Sequence, residues 1–303
     1  MPLKAKSAKD LVSFSRAKIL VSGESSTGKS SLGLQFPNSY IFDTEDGVSF
    51  YKDAIEKSGS AVLKTLDPEE VVKEIRTLMT EKSNYRTVII DPITNLWYEQ
   101  LDESAKTKGE AYGRHYGDAG KQMRRMAYLL IKLDMNVIFT AHSKDVWEGK
   151  GDSRTKSDTT YDGWGKSEYF FDLWLKLSKR EKIVEGYRGA EFWAKVEKTR
   201  LNGFPLFDEF KIGELNSAGY KNNMAYKVIA ERFGWEQIER AATPSKLATM
   251  EQIVEAKTLI EKVHPSPEWL QKAFKFAGAE DLEDFSEELV IRFIDKLKEM
   301  QKI

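Results

Sequence analysis

Eight consecutive residues, Gly23-Glu-Ser-Ser-Thr-Gly-Lys-Ser30, narrow the possible folds more than any other part of this chain, because they follow directly on the apolar run Lys18-Ile-Leu-Val-Ser22. The run reads as a strand, and the eight residues satisfy the pattern G-x-x-x-x-G-K-[ST]. Glycines let such a loop wrap a phosphate closely, so that its amides and the start of the next helix face negative charge. The expected cradle for a nucleoside triphosphate is Gly23, Glu24, Ser25, Ser26, Thr27, Gly28, Lys29, Ser30 and Ser31. Lys29 would reach the β- and γ-phosphates and the Ser30 hydroxyl would hold Mg²⁺, which makes ATP and Mg²⁺ the expected cofactors. The competing reading is a Gly/Ser turn that fits by chance; four fixed positions between a strand and a helix weigh against it.

A loop of this kind needs an open parallel sheet around it, and the rest of the chain supplies one. Short apolar runs recur at Lys18 to Ser22, Ser39 to Asp43, Thr87 to Asp91, Asn136 to Thr140, Phe171 to Leu177 and Phe192 to Thr199. Helical patterns lie between them at Lys29 to Gln35, Pro68 to Lys82 and Gly120 to Leu133. Strand and helix in alternation predict an α/β fold with a mainly parallel central sheet over residues 1–240, with the late strands added antiparallel or at an edge. After Ala241-Ala-Thr-Pro-Ser-Lys246, residues 241–303 read as a small helical domain. Its start and stop signals are the Thr249/Gln252 capping box, Ser266 before Pro267, Gly278 as a stop, and Ser286. Ile253, Ala256, Ile260 and Val263 share one helical face, as do Val290, Phe293, Ile294 and Leu297.

Composition removes several classes. The 303 residues contain no cysteine, which excludes disulfides, thiol redox chemistry and cysteine-ligated metal sites. No run of eighteen apolar residues occurs and the first residues are polar, so the expectation is a cytoplasmic protein with no membrane partner. The formal net charge of −1 does not announce a nucleic-acid binder, so any such site must be a local stripe. Residues 241–303 carry 9 Lys/Arg against 12 Asp/Glu, leaving the tail weakly acidic and the remainder weakly basic.

Around the phosphate loop, Thr87-Val-Ile-Ile-Asp91 ends in a carboxylate at the strand edge where ligands of open α/β sheets bind. Asp91 fits the Walker B role, completing through a coordinated water the metal shell that Ser30 begins. A second strand closes in Asp43-Thr-Glu45-Asp46, a third runs Asn136-Val-Ile-Phe-Thr-Ala-His142, and Lys198-Thr-Arg200 projects two cations from one strand face.

Phosphate loop, Asp-x-Glu, Walker B, strand-ending histidine and Lys-x-Arg stand in an order that resembles the RecA-like recombinase and helicase group. In size and short helical tail the chain is most similar to the phage-encoded RecA-like ATPases of the Sak single-strand annealing group. That resemblance implies Glu45 as the general base on the attacking water, with Asp43 and Asp46 as alternatives in the same acidic turn. It implies His142 as the γ-phosphate sensor, at a position where bacterial recombinases usually carry glutamine. It also implies Lys198 and Arg200 as cations reaching a neighbouring subunit's γ-phosphate, the alternative being a solvated basic strand end. Pro92, directly after Asp91, departs from the group's pattern.

By the same resemblance, DNA-binding loops follow the Walker B and sensor strands. The segments there are Gly109 to Gly117, with Arg114, and Gly149 to Lys166, with Lys150, Arg154, Lys156, Tyr161, Trp164 and Lys166. Cations would neutralise phosphates while Tyr161 or Trp164 stack on bases; the second segment reads as a long loop without regular structure. Thr155-Lys-Ser-Asp158 loosely matches a guanine-reading motif, but it lies about a dozen residues beyond the strand that should precede it, so nothing selects GTP over ATP. Phe14-Ser-Arg-Ala17 matches the Phe-x-x-Ala motif by which some recombinases join neighbours. The resemblance thus implies a DNA-dependent ATPase that forms a homo-oligomer or filament on single-stranded DNA and promotes annealing or strand pairing. Its helical tail would be open to a single-strand binding or other replication protein. The rival readings are a nucleotide-dependent protein-assembly switch and a small-molecule phosphotransferase.

Overall fold

The computed structural model describes residues 16–149, 154–219 and 221–301. Strands β1 (Lys18–Gly23), β2 (Ser39–Asp43), β3 (Ala61–Lys64), β4 (Thr87–Asp91), β5 (Asn136–Glu148), β6 (Thr155–Asp162), β7 (Leu173–Val184), β8 (Tyr187–Thr199), β9 (Glu209–Asn216) and β10 (Lys221–Asn223) join one sheet. Its order is β10-β9-β8-β7-β1-β5-β4-β2-β3, with β6 paired to β5 off that path. The pairings from β3 to β7 are parallel and those from β7 to β10 antiparallel, so the expected α/β class and the antiparallel late strands both hold.

The parallel part is buried on both faces, which is why its strands read as near-continuous apolar runs. Successive residues of β1 point to opposite faces: Leu20 joins Phe42, Ile90 and Phe139 on one, while Ile19 and Val21 join Ile41, Ile89 and Ile138 on the other. The first face is covered by α3 (Pro68–Thr80), α4 (Ile93–Lys108) and α5 (Arg114–Lys132), through Ile75, Leu96 and Met123 among others. The second is covered by α1 (Lys29–Gly33), α6 (Ala225–Phe233) and α7 (Trp235–Glu239), through Leu32, Ile229 and Ile238. Short helix α2 (Lys52–Lys57) follows β2. Helix α5 begins six residues before the sequence pattern suggests, because its first turn is polar and exposed and only Ala119 onward carries an apolar stripe. Pro92 is the residue before α4, where a missing amide proton breaks no helical bond.

Charged side chains hold the closing segments in place. Arg16 is buried; its Nε donates to Asp134 at 2.9 Å, and its terminal nitrogens donate to the carbonyls of Gln237, Arg240 and Ala241 at 3.1, 2.8 and 2.8 Å. Lys18 Nζ donates to the carbonyls of Leu130, Leu133 and Met135 at 2.7, 3.0 and 2.8 Å, satisfying acceptors at the C-terminal end of α5.

Helices α8 (Met250–Val263), α9 (Pro267–Ala277) and α10 (Glu287–Gln301) enclose an apolar cluster of their own. Thr249 and Gln252 form the capping box, Ser266 caps the Pro267 helix, and Gly278 ends it at φ 57°. The buried stripe of α8 runs through Ile253, Ala256 and Leu259, leaving Val263 half-buried. This unit sits on α3 and α5 by ion pairs: Arg125 to the buried Asp284 at 2.7 Å, Arg124 to Glu280 at 2.5 Å, and Arg76 to Glu283.

Candidate active site

The C-terminal ends of β1, β2, β4 and β5 all open on the same sheet edge, because these strands run parallel. A cleft of about 840 Å³ lies there, lined by Gly23 to Ser26 and Gly28 to Ser31 of the phosphate loop, by Glu45 and Tyr51, and by His142 and Asp145. The loop conformation explains its glycines. A Cβ on Gly23 would stand 2.5 Å from Thr27 Oγ1 and 3.0 Å from the Leu177 carbonyl, and Gly28 adopts φ 93°. Thr27 donates to the Glu24 carbonyl at 2.8 Å and closes the turn. Lys29 Nζ lies in the loop's concavity, 2.9 Å from the carbonyls of both Gly23 and Glu24; burial lowers its pKa, and Asp91 and Glu45 pull the other way.

Asp91 is 4% exposed, and its carboxylate receives the hydroxyls of Thr140 and Ser30. Burial raises its pKa, the two hydroxyls oppose that, and Glu45 and Asp43 add to it. Ser30 and Asp91 are thus adjacent hard-oxygen donors beside the loop, which fits Mg²⁺, a cation that takes one or two protein oxygens and fills its octahedron with phosphate and water. Among the described residues no group of three or more His, Asp or Glu gathers as a metal cage.

The acidic turn after β2 resolves into three different jobs. Asp43 is 2% exposed and its carboxylate accepts from the amides of Glu45, Gly47 and Val48 at 3.3, 3.1 and 3.3 Å, so it shapes the turn. Asp46 faces solvent, paired with Lys64. Glu45 alone of the three lines the cleft, and its Oε2 lies 3.1 Å from His142 Nε2. His142 is held in turn by its own amide, which donates to Thr94 at 3.0 Å. The base and sensor named from sequence are therefore in contact across the cleft.

Other candidates fall elsewhere. Lys198 and Arg200 leave β8 beside the start of β7, the sheet edge opposite the phosphate loop. Lys198 Nζ donates to the carbonyls of Glu168 and Phe171, and Arg200 to the Tyr169 carbonyl at 3.1 Å. Within one chain neither approaches the cleft. Residues 155–162, read as part of an irregular loop, form β6 and pair back on residues 142–148 of β5 as an antiparallel arm. The sequence hides it because both arm faces are polar; Lys156–Asp145 at 2.7 Å and Lys176–Asp158 at 2.8 Å replace an apolar stripe. Tyr161 and Trp164 are each 6% exposed and belong to the core. Tyr161 packs edge-on to Trp174 and Trp164 stacks on Phe170, so neither offers a face to a nucleic-acid base, a correction to their reading as stacking residues. Arg114, Arg154 and Lys166 are exposed, Lys156 is paired as above, and Lys150 lies outside the described residues. Phe14 of the Phe-x-x-Ala motif is likewise outside them, while Ala17 is fully buried.

Sequence reading missed Thr140, whose hydroxyl holds Asp91, and the arm residues Ser143, Asp145 and Thr159 that wall the cleft. Only the position of Thr140 two residues before His142 hinted at the first. Tyr112, within the Gly109 to Gly117 segment read from sequence as a DNA-binding loop, is fully exposed at φ 56° between Gly109 and Gly113, both at positive φ.

A phosphate loop, a buried carboxylate paired with its serine, and a carboxylate across the cleft define a P-loop nucleoside triphosphatase site. Residues 15–190, more than half of the chain, match the AAA domain family, and the chain belongs to that family of P-loop ATPases. Among solved structures it is similar to the KaiC-like protein PH0186 from the hyperthermophilic archaeon Pyrococcus horikoshii OT3. The identity is 13% and the TM-score 0.43, over 68% of this chain and 88% of that one. No curated protein matches. Among the described residues no helix is long and apolar enough to cross a membrane.

Proposed function

We propose that this chain is a RecA-like ATPase of phage recombination or replication that works as an oligomer on single-stranded DNA, promoting annealing or strand pairing. The observation that carries the hydrolytic part is the Glu45–His142 contact at 3.1 Å, in one cleft with Lys29 and Ser30, the latter bonded to the buried Asp91. Loop amides and Lys29 bind and orient the β- and γ-phosphates. Magnesium, when held by Ser30 and Asp91, supplies charge neutralisation on the phosphate oxygens. Glu45 accepts a proton from water as that water's oxygen bonds to the γ-phosphorus and the bond to the β-phosphate oxygen breaks. His142 holds the Glu45 carboxylate in place and links it to the β5–β6 arm. Since Lys198 and Arg200 lie at the far sheet edge, any contact they make with a γ-phosphate comes from a neighbouring subunit; the guanidinium, able to bind two oxygens, is the stronger partner.

The DNA part is supported by the turn between α4 and α5. Tyr112 is fully exposed, with Arg114 two residues on, a free aromatic face beside a cation suited to single strands. The test is steady-state ATP hydrolysis with and without single-stranded DNA at low salt, where phosphate contacts are strongest. Stimulation lost in Lys29→Ala and Glu45→Gln, and weakened by Tyr112→Ala without loss of basal turnover, is the expected result. Turnover indifferent to DNA, with no DNA binding, would favour a nucleotide-dependent assembly switch instead.

A further inference from the structure

Beside the phosphate cleft lies a second cavity of about 230 Å³, walled on one side by Leu32 of α1 and on the other by Phe192, Ile212 and Leu215 of β8 and β9. The two cavities share Ser26, Gly28, Ser31 and Tyr51 in their walls, so they adjoin at the phosphate loop. Phe192 sits at a β-bulge where the β8–β9 register shifts, and its ring comes within 3.6 Å of where a Cβ on Gly28 would be. Bulges beside ligand sites commonly re-aim a side chain, and here the ring is brought to the end of the phosphate loop.

We infer that this notch seats the nucleotide base and that it accepts adenine and guanine with little preference. The inference rests on the cleft holding a triphosphate. An apolar, aromatic wall adjoining a phosphate site suits the π-face of a base, which every base possesses. Strong discrimination between bases, by contrast, requires fixed hydrogen-bonding groups that one base satisfies and the other leaves unpaired. Two of the polar side chains around the notch, Gln35 and Glu214, already have partners. The Gln35 amide donates to the Ser31 carbonyl at 3.0 Å and accepts from the Tyr226 amide at 3.3 Å. Glu214 is bound by Lys211, with Asn222 as a further partner, which engages its carboxylate within the protein. The exposed Asn223 offers a primary amide that presents either donor or acceptor after a half-turn, and so meets adenine N6–H with N1, or guanine N1–H with O6, equally well. The Asp158 of the guanine-motif match is held by Lys176 at 2.8 Å on the arm.

Binding of ATP, GTP, CTP and inorganic tripolyphosphate is measured in Mg²⁺ buffer by competition against a fluorescent ATP analogue, with wild type, Phe192→Ala and Phe192→Leu. The expected result is Kd values for ATP and GTP within about threefold, CTP weaker because its ring stacks less, and a loss of about tenfold for both purine nucleotides in Phe192→Ala. Tripolyphosphate is unchanged by the substitution, and Phe192→Leu recovers part of the loss by restoring the apolar wall. Thermal melting confirms that the variants are folded; should Phe192→Ala not fold, the Phe192→Leu and wild-type comparisons decide. A preference of thirtyfold or more between ATP and GTP overturns the inference, as does a folded Phe192→Ala that binds ATP like wild type. Failure of every triphosphate and of tripolyphosphate to bind wild type overturns the phosphate-cleft reading itself, a distinct outcome.

Discussion

Three carboxylates within four residues of the β2 turn should give three separable phenotypes, because the structure assigns each a different partner. Glu45→Gln keeps size and polarity but removes the proton acceptor. General-base catalysis contributes about 10²- to 10⁴-fold, or ~2.7–5.4 kcal/mol of barrier, and turnover should fall by that factor. Glu45 contacts His142 at a site where both side chains are about two-fifths exposed, 40% and 41%, so the pair contributes about 0–1 kcal/mol and the melting temperature should barely move. ATP affinity, set by the loop and Lys29, should stay within about threefold of wild type, under half a tenfold step of ~1.4 kcal/mol. Asp43→Asn is different: one carboxylate oxygen accepts from Glu45 and Gly47 and the other from Val48, so whichever way the amide turns, a donor faces a donor. That buried mismatch costs about 1–3 kcal/mol of stability and disorders the turn that aims Glu45. Asp46→Asn should leave both stability and turnover unchanged. Single-turnover hydrolysis, nucleotide titration and thermal melting on the three variants make the comparison. Glu45→Gln within tenfold of wild-type turnover, or Asp46→Asn as the inactive one, would refute the assignment.

Further outcomes follow from features away from the base. Gly23→Ala, whose new Cβ meets Thr27 Oγ1 and the Leu177 carbonyl at 2.5 and 3.0 Å, should weaken nucleotide binding by at least about tenfold in a titration, ~1.4 kcal/mol, by displacing the loop. Arg16→Ala strips a buried guanidinium from Asp134 and three carbonyls, and chemical denaturation should show a loss of about 3–5 kcal/mol. Trp164→Ala should cost a similar ~3–5 kcal/mol in the same assay, as a core residue does and a stacking residue at the surface would not. Burial, with Arg16 adding to it, pushes the Lys18 ammonium from 10.5 down to about 7. The unfolded chain therefore binds the extra proton between those values and stability rises with pH. Raising pH from about 7 to 9 should add on the order of 1–2 kcal/mol, a gain that Lys18→Met abolishes.

What the sequence disclosed depended on how local each signal was. The phosphate loop is contiguous and bounded by strand and helix, so Lys29 and Ser30 were readable at sight. Asp91 and His142 were legible as ends of apolar strands, since a parallel sheet sends all such ends to one edge. Which of Asp43, Glu45 and Asp46 faces the cleft was not, because it turns on which carboxylate the backbone amides occupy. The β5–β6 arm escaped because polar strands held by cross-strand charges carry no hydrophobic period. Tyr161 and Trp164 misled for the opposite reason: they sit among Lys, Ser, Thr and Asp, and only the return of the chain beneath Trp174 and Phe170 shows them to be core.

The strand that ends at the nucleotide does not stop there. Strand β5 passes from the buried sheet at Ala141 through His142 and on to Glu148, its pairing with β6 shifting register between Val146 and Trp147, so cleft and arm share one continuous backbone. Seven residues beyond the sheet make a boom about 23 Å long at ~3.3 Å per residue. A pivot of 5° at its root would sweep the tip about 2 Å by that geometry, on the scale of a hydrogen bond made or broken. A sub-ångström adjustment at the histidine would be magnified by leverage along this arm, up to the point where Lys176 of β7 pins Asp158 to the sheet.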